Sequence, residues 1–241
     1  MAQKIPAPGG ARCLLALDAA GAACSAALWR DGRIIAHRFA AMRRGQAEHL
    51  VPMIDDVMAA AGVPYDALDA LAVTVGPGGF TGVRIGLATA RGLALALHKP
   101  LIGLSNFAAV AAAVPAAESA GRILAVTLDS KRRELYAQAF AAPGDGPPRP
   151  LGPGAAVPPE GLDAWLPAGP ILLAGDASAL AMAALRAAGR DVRAATSPGW
   201  ADAAAVAALA AAQPLPGAAA SRPRPLYLRP PDVTPPVSEA R

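Results

Sequence analysis

The run Gly76-Pro77-Gly78-Gly79-Phe80-Thr81-Gly82 sets four glycines between an apolar stretch at 71–75 and a helix-like stretch reaching 97. Glycines so placed often cradle a phosphate, because their backbone amides can approach it closely. A P-loop would need Lys and a hydroxyl residue after the last glycine, where Val83-Arg84 stand. The dinucleotide fingerprint would need a glycine where Thr81 stands. The loop therefore either binds an anion by backbone alone or positions a helix for packing. The helix favours packing. Gly82, Gly86, Ala90 and Ala94 recur every four residues and make a side-chain-poor stripe along one face. Such a stripe lets another helix approach closely. Thr81 is read as the N-cap of a helix over 83–97, with Arg84 and Arg91 on another face.

Two aspartates end apolar stretches, Asp18 after Leu14-Leu15-Ala16-Leu17 and Asp129 after Val126-Thr127-Leu128. Such a pair could hold Mg²⁺ through water and act on a nucleotide. The turn after Asp18 reads Ala19-Ala20-Gly21-Ala22-Ala23, with no hydroxyl before Ser25. The pair is therefore read as a vestigial nucleotide site whose acids end strands. His37, His49 and His98 make no helical ligand pair, so no metal site is expected. Hydrolase chemistry fares no better. Gly103-Leu104-Ser105-Asn106-Phe107 lacks the last glycine of a nucleophile elbow, and Ser25 has no base visible in the sequence. Neither Cys13 nor Cys24 sits in a basic, helix-opening setting that would activate a thiol.

These residues must be positioned by an alternation of strands and helices. Strands are expected at 12–18, 23–29 and 33–39, with Asp31-Gly32 as a hairpin turn. A helix at 47–61 ends at Gly62, and Pro52 is read as lying early in it. A strand at 71–75, the helix 83–97, a strand at 101–104 and a short helix capped by Ser105 or Asn106 follow. A second unit repeats the theme: strands at 123–129 and 134–140, a Pro/Gly-rich loop at 142–159, a strand at 171–175, a helix to about 188, a strand at 191–195 and a helix at 201–212. The two acid-ended hairpins, 14–28 and 124–140, read as an internal duplication and so as two related α/β lobes. Residues 1–11 are expected to be disordered. The first lobe is placed at 12–105, completed by 213–230, and the second at 106–212. The tail 231–241 is also expected to be disordered.

Composition bounds the function. The 241 residues are 54% hydrophobic but only 4% aromatic, so a core must rest on Leu, Val, Ile and closely packed Ala. The net charge of +4 comes from 22 basic residues, of which only Lys4, Lys99 and Lys131 are lysines. Clusters occur at Arg43-Arg44 and Lys131-Arg132-Arg133; they permit an acidic or RNA partner without requiring one. Two cysteines make no disulfide framework and are expected as reduced, buried thiols in the cytosol. No signal peptide is expected at 1–10. The most apolar window, 83–97, is read as too short to span a bilayer.

Several stretches together resemble the TsaB (YeaZ) family. They are Leu15-Ala16-Leu17-Asp18, Cys24-Ser25-Ala26-Ala27-Leu28, Glu48-His49-Leu50-Val51-Pro52-Met53-Ile54 and the run 76–97. Leu128-Asp129 with Arg133-Glu134-Leu135-Tyr136, and Pro225-Leu226-Tyr227-Leu228-Arg229, complete the set. The likeness keeps its order from about 12 to 230, and GPG-x-FTG-x-R-x-G is its most specific part. The resemblance implies an α/β, two-lobe actin/Hsp70-like (ASKHA, ribonuclease H-like) fold. It also implies a non-catalytic scaffold subunit of the bacterial complex that makes N6-threonylcarbamoyladenosine at position 37 of tRNA. Such a subunit pairs with and activates a TsaD-like transferase, which carries the metal; a TsaC-like synthase and a TsaE-like ATPase act in the same pathway. Ala19-Ala20 stand where relatives carry hydroxyl residues, which argues further against a nucleotide in this turn.

On this reading the partner face comprises Glu48, His49, Leu50, Met53, Ile54 and Val57 on one helix. Arg84, Gly86, Leu87, Ala90, Arg91 and Ala94 supply it from the next, and two helices from each subunit form a four-helix bundle. The loop 76–82 fixes the angle of the second helix. The same surfaces imply a homodimer when the chain is alone. No cofactor is expected for the chain alone, although an adenine nucleotide at the joint with its partner is compatible with the family. Contact with tRNA is expected to be indirect or weak, no membrane partner is expected, and the location is cytoplasmic. The competing readings are an autonomous actin-like ATPase or kinase, a glycoprotease-like hydrolase, and a tRNA-binding module using Lys131, Arg132 and Arg133.

Overall fold

Two buried, uninterrupted apolar strands start the fold: β1 (Cys13–Asp18), inaccessible along its whole length, and β2 (Ala23–Arg30), exposed only at its last residue. Strands covered on both faces need no polar alternation, which is why these read as continuous runs. Asp31 and Gly32 both adopt positive φ, 49° and 90°, and turn the chain into β3 (Arg33–Ala41). The computed structural model describes residues 12–142, 146–217 and 222–229. The segments expected to be disordered, 1–11 and 231–241, lie outside the described residues.

Helix α1 (Gln46–Ala61) ends at Gly62 in the left-handed region, whose N–H bonds back to Ala59 O at 3.1 Å. Pro52 lies inside α1, in the N-terminal half of the helix. β4 (Ala70–Thr74), α2 (Phe80–Leu97), β5 (Leu101–Leu104) and α3 (Asn106–Ala112) follow, with Ser105 Oγ accepting from Ala108 N at 3.1 Å as the α3 cap. The second unit contains β6 (Ile123–Asp129), β7 (Leu135–Phe140), β8 (Ala155–Val157), α4 (Leu162–Trp165), β9 (Ile171–Ala174), α5 (Ser178–Ala187), β10 (Val192–Ala194) and α6 (Ala203–Ala211).

The two sheets run β3-β2-β1-β4-β5 and β8-β7-β6-β9-β10. In each, the first three strands are antiparallel, and the first, fourth and fifth are parallel. One topology used twice is the two-lobe actin/Hsp70-like (ASKHA, ribonuclease H-like) α/β fold. Alternation along β1 divides its two faces. Cys13, Leu15 and Leu17 pack with α1 and α2, while Leu14 and Ala16 pack with α3 and α6 in the core between the sheets. Although α6 belongs to the stretch 106–212, it lies on β1 and β2 of the first sheet. Small buried residues, Ala203, Ala207 and Ala210, let it approach that closely. Ser25 Oγ accepts from Ala203 N at 2.9 Å, and His37 Nε2 lies 2.7 Å from Asp202 Oδ1, tying α6 to β2 and β3.

Three local expectations change. β8 occupies part of the stretch read as a surface loop. α2 begins at Phe80, so Thr81 is an exposed first-turn residue rather than the N-cap; Gly79 holds that position without a side-chain bond. The helix is also longer than the window 83–97. At 18 residues it meets the length and composition of a bilayer-spanning helix. Its Val83, Gly86, Leu87 and Ala90 are nevertheless packed inside this chain.

Candidate partner interface

The glycine loop leaves β4 through Val75 and a cis Gly76–Pro77 bond. Gly76 N donates to Asn106 Oδ1 at 3.0 Å, and Asn106 N donates to Gly76 O at 2.8 Å, anchoring the loop to the start of α3. The loop then folds onto the β1–β2 turn. Gly79 N donates to Ala20 O at 2.7 Å. A Cβ on Gly78 would collide with the Ala20 carbonyl, and one on Gly82 with the Ala19 carbonyl. These glycines permit backbone to lie on backbone. Ala19 and Ala20 are buried as a result, while Ala20, Gly21 and Ala22 together with the glycine loop still border the cleft between the lobes.

The two acids fare differently. Asp18 is fully buried. Its Oδ1 accepts from Thr74 Oγ1 at 2.5 Å and from Ala20 N at 3.3 Å, while Oδ2 has no partner. Burial pushes its pKa up to about 6, against the pull of the Thr74 hydroxyl. Asp129 borders the cleft between the lobes, a space of about 870 Å³ whose walls include Arg43, Phe80, Lys131 and Trp200; Asp18 is not on that wall. Partial burial raises the Asp129 pKa, but bonds from Lys131 outweigh it and hold the carboxyl below its ordinary value. The Lys131 ammonium sits 2.5 Å from Asp129 Oδ2. One acid is sealed and the other is neutralised, so the residues present do not fit a shared Mg²⁺–nucleotide site. Among the described residues, no group of three or more His, Cys, Asp or Glu side chains could hold a metal ion.

The nucleophile candidates are engaged too. Ser25 is buried and serves α6, and Ser105 caps α3. Cys13 and Cys24 are buried free thiols; burial raises both, Cys24 to about 11. In the basic triplet, Lys131 pairs with Asp129 and Arg133 with Glu160, so it is not a bare cationic patch.

α1 and α2 lie side by side on the outer face of the first sheet. Their burial pattern redraws the expected face. Leu50, Ile54, Val57, Gly86, Leu87 and Ala90 are buried in the lobe's own core, so they are not exposed to a partner. The stripe Gly82-Gly86-Ala90 faces inward: a Cβ on Gly82 would collide with the Ala19 carbonyl, and one on Gly86 would rest in contact with Val73 Cγ2 and Ala19 Cβ, at 3.5 and 3.8 Å. Met53, Arg91 and Ala94 are half-buried, with Arg91 donating to Pro223 O. Glu48, His49 and Arg84 are exposed; His49 Nδ1 lies 2.9 Å from Gly45 O.

The outward surface is a different set. Val51, Pro52 and Asp55 project from α1, and Ala88, Gly92 and Leu95 from α2. Val51 is 50% and Leu95 63% exposed, and a Cβ on Gly92 would meet nothing within 4 Å. Ala88, Gly92 and Ala96 form a second four-residue stripe, and this one is bare. Sequence reading missed it; the signal was Arg84, four residues before Ala88, marking that face as solvent-side.

Residues 34–144, which contain α1, α2 and the glycine loop, match the family described as TsaD: tRNA N6-adenosine threonylcarbamoyltransferase. The TsaB protein of tRNA threonylcarbamoyladenosine biosynthesis from Escherichia coli K12 is 41% identical over 123 residues, 51% of this chain and 52% of that protein. The tRNA N6-adenosine threonylcarbamoyltransferase of Erythrobacter litoralis is 51% identical over 63 residues, 26% of this chain and 18% of its own length. The chain spans about half the length of the TsaB relatives it matches. The structure of YeaZ from Pseudomonas aeruginosa superposes with a TM-score of 0.70 at 31% identity, over 83% of this chain and 90% of that one. With a solved relative matched over nearly its full length, the chain belongs to the TsaB/YeaZ family.

Proposed function

We propose that the chain is a non-catalytic subunit of the machinery that makes N6-threonylcarbamoyladenosine at position 37 of tRNA. It acts in the cytoplasm by pairing with and activating a TsaD-like transferase. The observation that carries this reading is the bare face of α1 and α2, on which Val51, Ala88, Gly92 and Leu95 stand exposed. The stretch bearing that face resembles the transferase family itself. A partner with matching helices would meet it about a pseudo-two-fold axis, two helices from each side, and a second copy of this chain could take the same place when the transferase is absent. The close approach of Ala88 and Gly92 would bring the backbones together. No cofactor is assigned to the chain alone.

Light scattering of the chain mixed with a tRNA N6-adenosine threonylcarbamoyltransferase tests the reading. The expected mass is that of a one-to-one pair; two unpaired species would overturn it. Repeating the mixture with ATP tests for an adenine nucleotide at the joint, and adding tRNA to the chain alone tests the RNA-binding alternative.

A further inference from the structure

Residues 222–229 form neither helix nor strand, yet they are held to the body at specific points. Leu226 N donates to Val75 O at 2.7 Å, and Pro223 O accepts from Arg91. Gly103 and Gly76 make the room: a Cβ on Gly103 would fall 2.7 Å from Pro223 Cβ, and one on Gly76 2.9 Å from Leu226 O. Tyr227 stacks on Phe80, the first residue of α2, with ring centroids 5.8 Å apart. Its hydroxyl accepts from Arg84 Nε at 3.2 Å, and the Arg84 guanidinium lies 3.4 Å over the Phe80 ring. Arg229 then pairs with Glu134, just before β7 in the other lobe, at 2.8 Å. The segment thus runs past the edge strand β5, across the start of α2, and onto the second lobe.

Phe80 and Tyr227 are 54% and 47% exposed in a chain with very few aromatic residues. Rings left half in water at the head of α2 contribute little to the core, but they fix where Phe80 and Arg84 stand. A guanidinium laid on a ring is also pre-organised for a carboxylate.

We propose that segment 222–229 is a clamp that holds the head of the docking face in its competent arrangement. Tyr227 is the positioning residue for Phe80 and Arg84, and its ring joins the surface that a partner covers. The partner patch that fits brings an apolar side chain to the rings and a carboxylate to Arg84. This inference rests on reading α1 and α2 as the docking face.

The test compares Tyr227→Ala, Tyr227→Phe and Ala88→Arg in the full chain. Affinity for the transferase is measured by titration calorimetry, and amide exchange at 80–86 is measured in the isolated chain. Tyr227→Ala is expected to weaken pairing about tenfold and to speed exchange at the head of α2 by a similar factor. Tyr227→Phe keeps the ring and loses only the Arg84 bond, so about a threefold loss is expected. Parental affinity in Tyr227→Ala, with pairing abolished in Ala88→Arg, overturns the clamp and leaves the docking face standing. Lost affinity with unchanged exchange also overturns the clamp, since Tyr227 would then be a contact alone. Parental affinity in Ala88→Arg overturns the docking face, and the clamp with it. Should Tyr227→Ala fail to fold, parental affinity and exchange in Tyr227→Phe together with Glu134→Lys overturn the clamp.

Discussion

In the first lobe the helices that follow the third and fourth strands, α1 and α2, are 16 and 18 residues long; their counterparts in the second, α4 and α5, have four and ten. The strand order is the same in both. At 1.5 Å per residue the first pair reaches about 24 and 27 Å, the second about 6 and 15 Å. The second lobe shows how little helix is needed to cover such a sheet. The additional length of α1 and α2 exceeds that need, and it carries Val51, Ala88, Gly92 and Leu95 on its outward side. What the lobes share is the way a glycine brings backbone onto backbone. Gly82 lies on the turn after β1, and Gly175, after β9, lies on the Thr127 carbonyl of β6. The internal device is common to both lobes, and the outer helices differ.

The shared device should give the largest effects. Gly175 has φ +109°, and a Cβ there would collide with the Thr127 carbonyl. Gly175→Ala should therefore destabilise the chain by about 3 kcal/mol, strain and clash together, measured by urea unfolding. Gly82→Ala meets the clash without an unfavourable φ and should cost somewhat less, but it should also weaken pairing because it displaces the head of α2. If both variants fold like the parent, backbone contact is not what sets the two loops.

The divergent feature comes next. Ala88→Arg on α2 should reduce affinity for the transferase about a hundredfold, near 2.7 kcal/mol, while the thermal midpoint of the isolated chain stays within a degree or two of the parent. Leu180→Arg places the same charge on the exposed side of α5, where Leu180 is 52% exposed, and should leave affinity unchanged. Equal losses from both would show that the longer helices confer no special docking role. Gly86→Leu is not an interface test, because overpacking against Val73 would first cost the core about 1–3 kcal/mol.

Much of this contrast is written in the sequence, and the failures have physical causes. The runs at 13–18 and 70–74 are legible because strands buried on both faces stay apolar up to their last residue. β8 is three residues on an edge among prolines, too short to show a period. The face of α2 is the instructive case. Gly82-Gly86-Ala90 and Ala88-Gly92-Ala96 have the same spacing, and small-residue periodicity alone does not choose between them; Arg84, in line with the second stripe, is the one sequence mark of its solvent side. The choice is made by Ala19 and Ala20, over sixty positions away in sequence, against which only the glycine stripe fits. Leu226-Tyr227-Leu228-Arg229 stand apart in sequence from the prolines before them, but the seat of Leu226 on Gly76 and of Pro223 on Gly103 is set by the fold.

The strand-ending acids sharpen the comparison at smaller scale, because equivalent positions titrate in opposite directions. Asp18 has a folded pKa of about 6 against an ordinary 3.8. The native state thus holds a proton that the unfolded chain has lost, and stability falls as pH rises between those values. By pH 7 the penalty is on the order of 2–3 kcal/mol. Asp18→Asn removes it while leaving an amide without an acceptor where Oδ2 now stands, so a net gain of about 1 kcal/mol at pH 7 is expected. The gain should shrink as pH falls towards 4. Parallel stability–pH curves for the two proteins would mean that Asp18 is not held in the sealed environment described above.

Asp129 should give the smallest effect and the opposite slope. Its folded pKa is lowered, so its contribution is present above the ordinary carboxylate value and is lost as pH falls through the folded pKa. The pair with Lys131 is solvent-accessible, with side chains 39% and 73% exposed. Screening limits such a pair to about 0.5 kcal/mol, and Asp129→Asn should stay within that range at pH 7 and become indistinguishable from the parent in strong acid. A loss several times larger would mean that the Asp129 carboxylate also holds the turn after β6, through Oδ1, which accepts from Lys131 N at 2.7 Å. The second lobe's acid would then be as integral as the first's, and the two lobes would differ in their outer helices alone.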